Sequence, residues 1–268
     1  VEDESNGVDA FERNYLRNQL IPVLAHQWPD YRQRLRAVAE LSHESHELAE
    51  ATAIETIATL QPAEERAGWS LSVSLFANLT PLKQKNILRY WPEIKGLDAP
   101  GAKIINEVLT ALIDARKDSS PKVSTGDGQY CRFRDRLYLL KVSKGFDASV
   151  NQQEDFIWDT DNPISLSDGS HLTVEQTVGD GLRAELAAAL SVTTRKGGER
   201  CKPAGRGHSN SLKKLLQEFN VEPWWRDRAP LLFIDQQLVA VADFWICDGW
   251  QAQPGEKSIK IHWHTNSL

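Results

Sequence analysis

The 268-residue sequence predicts an α+β protein of more than one domain. A helical domain ending in a hairpin should precede a small, β-rich α+β domain at the carboxyl end. Three observations carry this. Apolar residues recur at helical spacing from Tyr31 to about residue 116, the period changes to alternation after Asp118-Ser119-Ser120-Pro121, and short strand-like runs fill the last third.

Residues 1–28 read as the tail of a preceding unit. Their acidic opening leads into a helical pattern with Phe11, Tyr15, Leu16 and Leu20, which Pro22 should kink or interrupt. From Tyr31 to Leu60, the residues Leu35, Val38, Ser42, Ala49, Ala53, Ile57 and Leu60 mark one face of a long helix. Thr80-Pro81 is a helix start, a capping hydroxyl before a proline that needs no donor in the first turn. That helix carries Leu82, Ile87, Leu88 and Trp91. Pro100-Gly101 opens another, striped by Ile104, Ile105, Val108, Leu109, Leu112 and Ile113.

Gln129–Lys141 alternates and turns at Arg134-Asp135-Arg136, as a hairpin does. Strands are predicted at Leu172–Val178, Leu190–Thr194, Leu231–Ile234, Leu238–Ala242 and Ser258–Trp263, with one helix near Ser209–Phe219. The resulting division is a tail at 1–28, a helical domain with its hairpin at 29–144, an acidic linker at 145–155, and a β-rich domain at 156–268.

Composition excludes several classes. Lys plus Arg number 31 against 37 Asp plus Glu, a net charge of −6, so the chain is not a uniformly basic nucleic-acid binder. No apolar run is long enough to span a bilayer, and the opening shows no secretory pattern. Three widely spaced cysteines (Cys131, Cys201, Cys247) argue against a disulfide framework or a thiolate zinc site, which makes a reducing cytoplasm the expected location. His43 and His46, one helical turn apart among glutamates, read as a solvated face rather than a metal site. His262 and His264 are read the same way, and no residue is assigned to a metal.

The most informative segment is Arg195–Lys214. It holds seven bases (Arg195, Lys196, Arg200, Lys202, Arg206, Lys213, Lys214) and one acid, Glu199. Gly197, Gly198, Gly205 and Gly207 let the backbone approach a ligand, and the following helix start favours an anion. Two readings stand side by side: a grip on a phosphate-rich partner, or a solvated loop with turn glycines. No GxxxxGK[ST] occurs, so this is not a nucleotide-hydrolysing loop. A second basic cluster, Arg116–Lys141, places Tyr130, Arg132 and Arg134 on one strand face, either against a nucleic-acid backbone or simply facing water. Nine acids and one base lie between Gly145 and Leu186, so any nucleic-acid binding must act through local patches within about 8 Å at physiological salt. Pro223-Trp224-Trp225 could stack bases, but beside Pro230-Leu231-Leu232-Phe233 the pair reads first as core.

Asp3-Glu4-Ser5-Asn6, Arg13-Asn14-Tyr15-Leu16-Arg17 and Ile21-Pro22-Val23-Leu24 resemble the end of the catalytic domain of tRNA(Ile)-lysidine synthetases. Arg195–Glu199 with Lys202-Pro203, then Ser211–Leu216, Pro223-Trp224-Trp225-Arg226 and Pro230–Phe233 resemble that family's C-terminal domain. The resemblance covers the whole chain, most strongly at 1–24 and 195–245. It implies an ATP-dependent ligase that adenylates C2 of the wobble cytidine of the CAU-anticodon tRNA(Ile) and replaces AMP by the lysine ε-amine.

That chemistry implies ATP, Mg²⁺ and an SGGxDS pyrophosphate loop, which these 268 residues do not contain; the segment itself is expected to bind neither cofactor. The expected partners are therefore tRNA(Ile) with a CAU anticodon, with lysine and ATP engaged through the catalytic domain. A homodimer is admissible and no membrane is involved. Arg13, Asn14 and Arg17 match the family's RN-x-x-R; an arginine there faces ATP or tRNA phosphate, or pairs with Asp3 or Glu4. Arg195, Lys196, Gly197, Gly198, Arg200, Lys202, Arg206, Lys213 and Lys214, with Arg132 and Arg134, are the expected tRNA contacts. Competing readings are a non-catalytic RNA-binding module and a cytosolic α+β protein that binds a small phosphorylated ligand.

Overall fold

The computed structural model of the chain describes residues 12–113, 121–142 and 156–265. Asp3–Asn6, Arg116, Lys117 and the expected acidic linker lie outside the described residues. The chain divides into two compact units, Val1–Glu55 and Thr56–Leu268. No helix among the described residues is long and apolar enough to cross a membrane.

The first unit contains α1 (Glu12–Tyr15), a π-helical turn at Leu16–Leu20, α2 (Ile21–Gln27) and most of α3 (Tyr31–Ala58). Pro22 does not interrupt the helix, contrary to expectation. It falls in the first turn of α2, just after the Ile21 N–H closes the widened turn onto the Leu16 carbonyl. Along α3 the pairs Arg34–Asp30 (2.6 Å) and Arg36–Glu40 (2.8 Å) lie one turn apart on exposed surface. The predicted apolar stripe is not buried throughout. Leu35 and Val38 are exposed, whereas Ile57 and Leu60, at and beyond the helix end, pack into the second unit's core.

The second unit begins with β1 (Ala63–Glu65) and β2 (Gly68–Ser72), then α4 (Val73–Ala77), α5 (Pro81–Ile94) and α6 (Ala102–Glu107), which runs into a π-helical turn at Val108–Ile113. The Thr80 side chain caps α5 by accepting from the Lys83 N–H, as the Thr-Pro pair predicts. Next come β3 (Lys122–Ser124), β4 (Gly128–Phe133) and β5 (Arg136–Lys141). The hairpin is as expected, but it belongs to an antiparallel five-stranded sheet ordered β1-β2-β5-β4-β3. The segment preceding it is therefore not purely helical; β1 and β2 are too short to show an alternating period.

Helices and sheet enclose Phe76, Ile87, Leu88, Trp91, Val108, Leu112, Tyr130 and Leu139. Tyr130 donates to the Leu88 carbonyl at 3.0 Å, and burial pushes its hydroxyl pKa up. Tyr130 and Arg132 thus face protein, not water, and the expected wet strand face is corrected.

The remainder holds β6 (Phe156–Ile157), β7 (Ile164–Ser165), β8 (His171–Val178), β9 (Leu182–Arg183), β10 (Ser191–Thr193), β11 (Arg200–Cys201), β12 (Asn210–Ser211), α7 (Leu212–Glu218), β13 (Leu231–Ile234), β14 (Gln237–Val241), β15 (Trp245–Ile246) and β16 (Lys257–His264). One sheet runs β15-β14-β13-β10-β6, another β7-β8-β16-β9, and β11-β12 form a separate ribbon. Leu172, Val192, Leu216, Trp225, Leu232 and Trp263 fill the shared core, so Trp225 is core as predicted.

Ala67, from the β1–β2 turn, is buried in this same cluster, and the Arg66 carbonyl accepts from Thr265 Oγ1 at 3.1 Å. Cys201 and Cys247 form a disulfide, and Cys131 is free and buried. This corrects the reading of three unlinked cysteines. Their separation of 46 positions concealed that the Pro203–Cys247 bridge brings their strands together.

Candidate nucleic-acid interface

The segment 195–214 is built on a short antiparallel ribbon, in which Arg200 pairs with Ser211 and Cys201 with Asn210. It runs directly into α7, whose Leu212, Leu215 and Leu216 anchor it in the core. Two left-handed glycines, Gly197 (φ 94°) and Gly198 (φ 87°), make the first turn. Glu199 organises that turn: its Oε1 accepts from the N–H of Lys196 at 2.5 Å and of Gly197 at 2.6 Å, and its own carbonyl accepts from the Leu212 N–H at 2.8 Å. The amides expected to meet an anion at Lys196 and Gly197 are therefore already taken by an internal carboxylate. Glu199 stood out in the sequence as the one acid of this segment, but its role in closing the turn did not.

The seven cations differ in their surroundings. Arg195 lies mostly buried, with Nη1 2.8 Å from Asp227 Oδ1 and Nε 3.7 Å from Glu199 Oε2. Lys202 Nζ is 2.7 Å from Asp248 Oδ2, Arg206 pairs with Glu218, and Lys214 Nζ is 3.7 Å from Glu218 Oε1. The Arg206 hydrogen bond holds the exposed Glu218 carboxyl below the usual range. Lys196, Arg200 and Lys213 are exposed, with Arg200 Nη2 donating to the Ser209 carbonyl at 3.2 Å.

The loop is thus less uniformly cationic than its sequence suggests. Its outer pairs are nevertheless surface contacts open to solvent, which contribute little to stability and which a phosphate can replace.

Beside the loop lies a cavity of about 380 Å³, lined by Ser191, Thr193, Thr194, Lys196, Phe233 and Gln236 among others. Thr194 Oγ1 is buried there without a hydrogen-bond partner among the described residues. Hydroxyls and a lysine around one recess suit a ribose–phosphate surface, which offers both acceptors and donors.

The other expected contacts fare differently. Arg132 is withdrawn from the interface: it is buried, and its Nη1 donates to the carbonyls of Leu112 (2.8 Å) and Ile113 (2.7 Å). These two backbone acceptors take the buried guanidinium's hydrogen bonds, so a charged side chain can point inward. Arg134 sits exposed at the hairpin turn in a left-handed conformation (φ 54°), its guanidinium 5.6 Å from the Phe133 ring centre. Arg136 is a structural residue, bonded to Ser70 and to the Gln61 carbonyl. Arg13 and Arg17 are exposed on the helical segment of the first unit and Asn14 is half-buried. The proposed alternative partners Asp3 and Glu4 lie outside the described residues.

Comparison with known proteins follows this geometry. Residues 71–138 match the model described as the TilS substrate binding domain, and residues 190–263 match the TilS substrate C-terminal domain. The tRNA(Ile)-lysidine synthase of Methylococcus capsulatus is 30% identical over 271 residues, covering 98% of this chain and 59% of that protein. Those of Coxiella burnetii (31% identical; 96% and 56% covered) and Alkalilimnicola ehrlichii (33% identical; 97% and 57% covered) are similar to the same extent. The chain therefore spans less than three fifths of the length of these relatives.

Proposed function

Carrying both of these substrate domains, the chain belongs to the tRNA(Ile)-lysidine synthase family, and from that premise we propose that it holds the body of a tRNA for a ligation performed on the rest of the enzyme. The complete enzyme would join the lysine ε-amine to C2 of the wobble cytidine in the CAU-anticodon tRNA(Ile). ATP first adenylates that position with loss of pyrophosphate, and the amine then displaces AMP.

ATP and Mg²⁺ are proposed to be held elsewhere in the complete enzyme. No group of carboxylates, histidines or cysteines among the described residues could hold a metal ion, and the sequence has no pyrophosphate loop. We assign both to the portion of the relatives' length that this chain does not span, with residues 1–28 as the edge of the catalytic domain and Arg13, Asn14 and Arg17 as contacts to a phosphate of ATP or tRNA. The cytoplasm, where tRNA is found, is the location this reading requires.

The observation that carries the reading is the ribbon-borne loop 195–214, which presents Lys196, Arg200 and Lys213 beside a hydroxyl-lined recess. An A-form stem is recognised by its shape, its phosphates and its 2′-hydroxyls, which these groups can meet without reading bases. Lys202, Arg206 and Lys214 would add contacts by exchanging an internal carboxylate for phosphate. Arg195, together with Glu199, would shape the turn.

Filter binding of tRNA(Ile) bearing CAU and of elongator tRNA(Met) over a salt series tests this. Retention of tRNA with affinity falling steeply as salt rises is the expected result. No tRNA retention, with salt-sensitive binding of a small phosphate compound in its place, would replace the reading by that of a small-ligand protein.

A further inference from the structure

A second cavity, of about 410 Å³, lies against the same loop and is lined by Ala204, Phe244, Trp245, Ala252, Lys260 and Ile261 among others. Its size is within the range of small-ligand sites. We propose that it receives the base of an unpaired nucleotide, while the adjoining loop holds that nucleotide's phosphate. The proposal rests on the tRNA-holding reading and names a single-stranded part of the RNA as the group recognised.

Three observations converge on a base. The first is a continuous aromatic column: Arg206 sits 4.7 Å from the Phe219 ring centre, Phe219 and Trp245 stack at 4.6 Å and 22°, and Phe244 follows at 6.1 Å and 32°. Phe219 is exposed at the outer end, and Trp245 and Phe244 form the cavity wall at the inner end. Flat rings and guanidinium planes are the surfaces on which splayed-out bases stack.

The second is charge balance. Lys260 Nζ is 2.6 Å from Asp180 Oδ2, and Asp243 is held by Arg66 at 2.8 Å, so the cavity itself suits a neutral planar group. The cations stand outside it, on the loop. A neutral ring covalently joined to an anion is what a nucleotide offers.

The third is continuity: Ala204, part of the basic loop, forms one wall and is pinned to β15 by its N–H donating to the Ile246 carbonyl at 3.0 Å.

The test compares a blunt-ended hairpin RNA with the same hairpin carrying a short single-stranded tail, each titrated against the 268-residue chain at fixed salt. The tail should tighten binding about tenfold. Ala204→Phe, at an exposed position, fills the cavity and should bring the tailed-to-blunt ratio close to one. Trp245→Leu removes the flat ring from the column and should lower the ratio severalfold. The ratio is taken within each variant, so a general loss of affinity cancels. Equal binding of the two RNAs by the unaltered chain, or an unaltered ratio in either variant, overturns the pocket while the tRNA reading stands. Failure to bind either RNA overturns both.

Discussion

Arg66 and Asp243, 177 positions apart, meet through Nη2 and both carboxylate oxygens at 2.8 and 3.0 Å. Arg66 leaves the β1–β2 turn to do so, its guanidinium also donating to the Trp263 carbonyl and lying 4.6 Å from that residue's ring centre. The β1–β2 turn is thereby fastened to Asp243 and β16 by an ion pair, a hydrogen bond to backbone and an aromatic contact.

Replacing Arg66 with Ala should therefore lower unfolding free energy by about 1–3 kcal/mol in urea titrations, because Asp243 is left half-buried without its partner. Arg66→Lys should restore only part of that, since an ammonium cannot bond both oxygens and lie flat on the ring. A full rescue by lysine would show that charge alone matters here.

Arg132→Ala should cost about 2–4 kcal/mol, through loss of the buried hydrogen bonds its guanidinium donates to the carbonyls of Leu112 and Ile113. The salt dependence of tRNA binding should not change. A shallower salt slope in a variant that remains folded would return Arg132 to the interface.

The double substitution Arg200→Ala with Lys202→Ala should flatten the slope of log affinity against log salt, by about one unit for each phosphate that is no longer bound. Asp248→Asn should act oppositely and strengthen tRNA binding, by releasing Lys202 from its 2.7 Å pair. Its effect on stability should stay under about 1 kcal/mol, because that pair is half-exposed. Unchanged affinity and slope in the double variant would remove the loop from the site.

Glu222 gives a pH prediction. Burial is the largest influence on its carboxyl and raises the pKa above the ordinary 4.5, with Tyr138 Oη donating to Oε1 at 3.4 Å. The folded state therefore takes up this proton at a higher pH than the unfolded chain. The resulting stabilisation is complete below 4.5 and is lost as pH rises through the raised folded value. Glu222→Gln should remove that segment of the stability–pH curve and leave the protein no less stable at pH 7. Identical curves for the two proteins would place Glu222 in solvent.

The Cys201–Cys247 disulfide closes a loop across 46 positions that contains most of the basic segment. Reduction should lower stability by about 2–4 kcal/mol. Thiol titration of the unfolded, unreduced chain should find one reactive group, Cys131, rising to three after reduction. Three thiols before reduction would exclude the bond.

Long periodic elements were readable in advance. The span of α3, the Thr80-Pro81 cap of α5, the β4–β5 hairpin and the strands β8, β10, β13, β14 and β16 each follow from side-chain spacing, which acts over a few residues. The strands β1 and β2 were not readable, because three to five residues hold no period. The basic loop was found by composition, but its internal neutralisation was not: Asp227, Asp248 and Glu218 reach Arg195, Lys202 and Arg206 from sequence positions that carry no local mark.

The sequence by itself determined the longer helices and strands, that positive charge concentrates at 195–214, and which family the chain resembles. All of these are written in local order along the chain. Only the tertiary structure decided that Arg132 faces inward, that Glu199 occupies the amides of the glycine turn, that two cysteines join, and that an aromatic column borders the loop. Those outcomes depend on which distant groups are brought within a few ångströms. Burial then decides them, because a buried charge or amide needs a partner and takes whichever one the packing delivers.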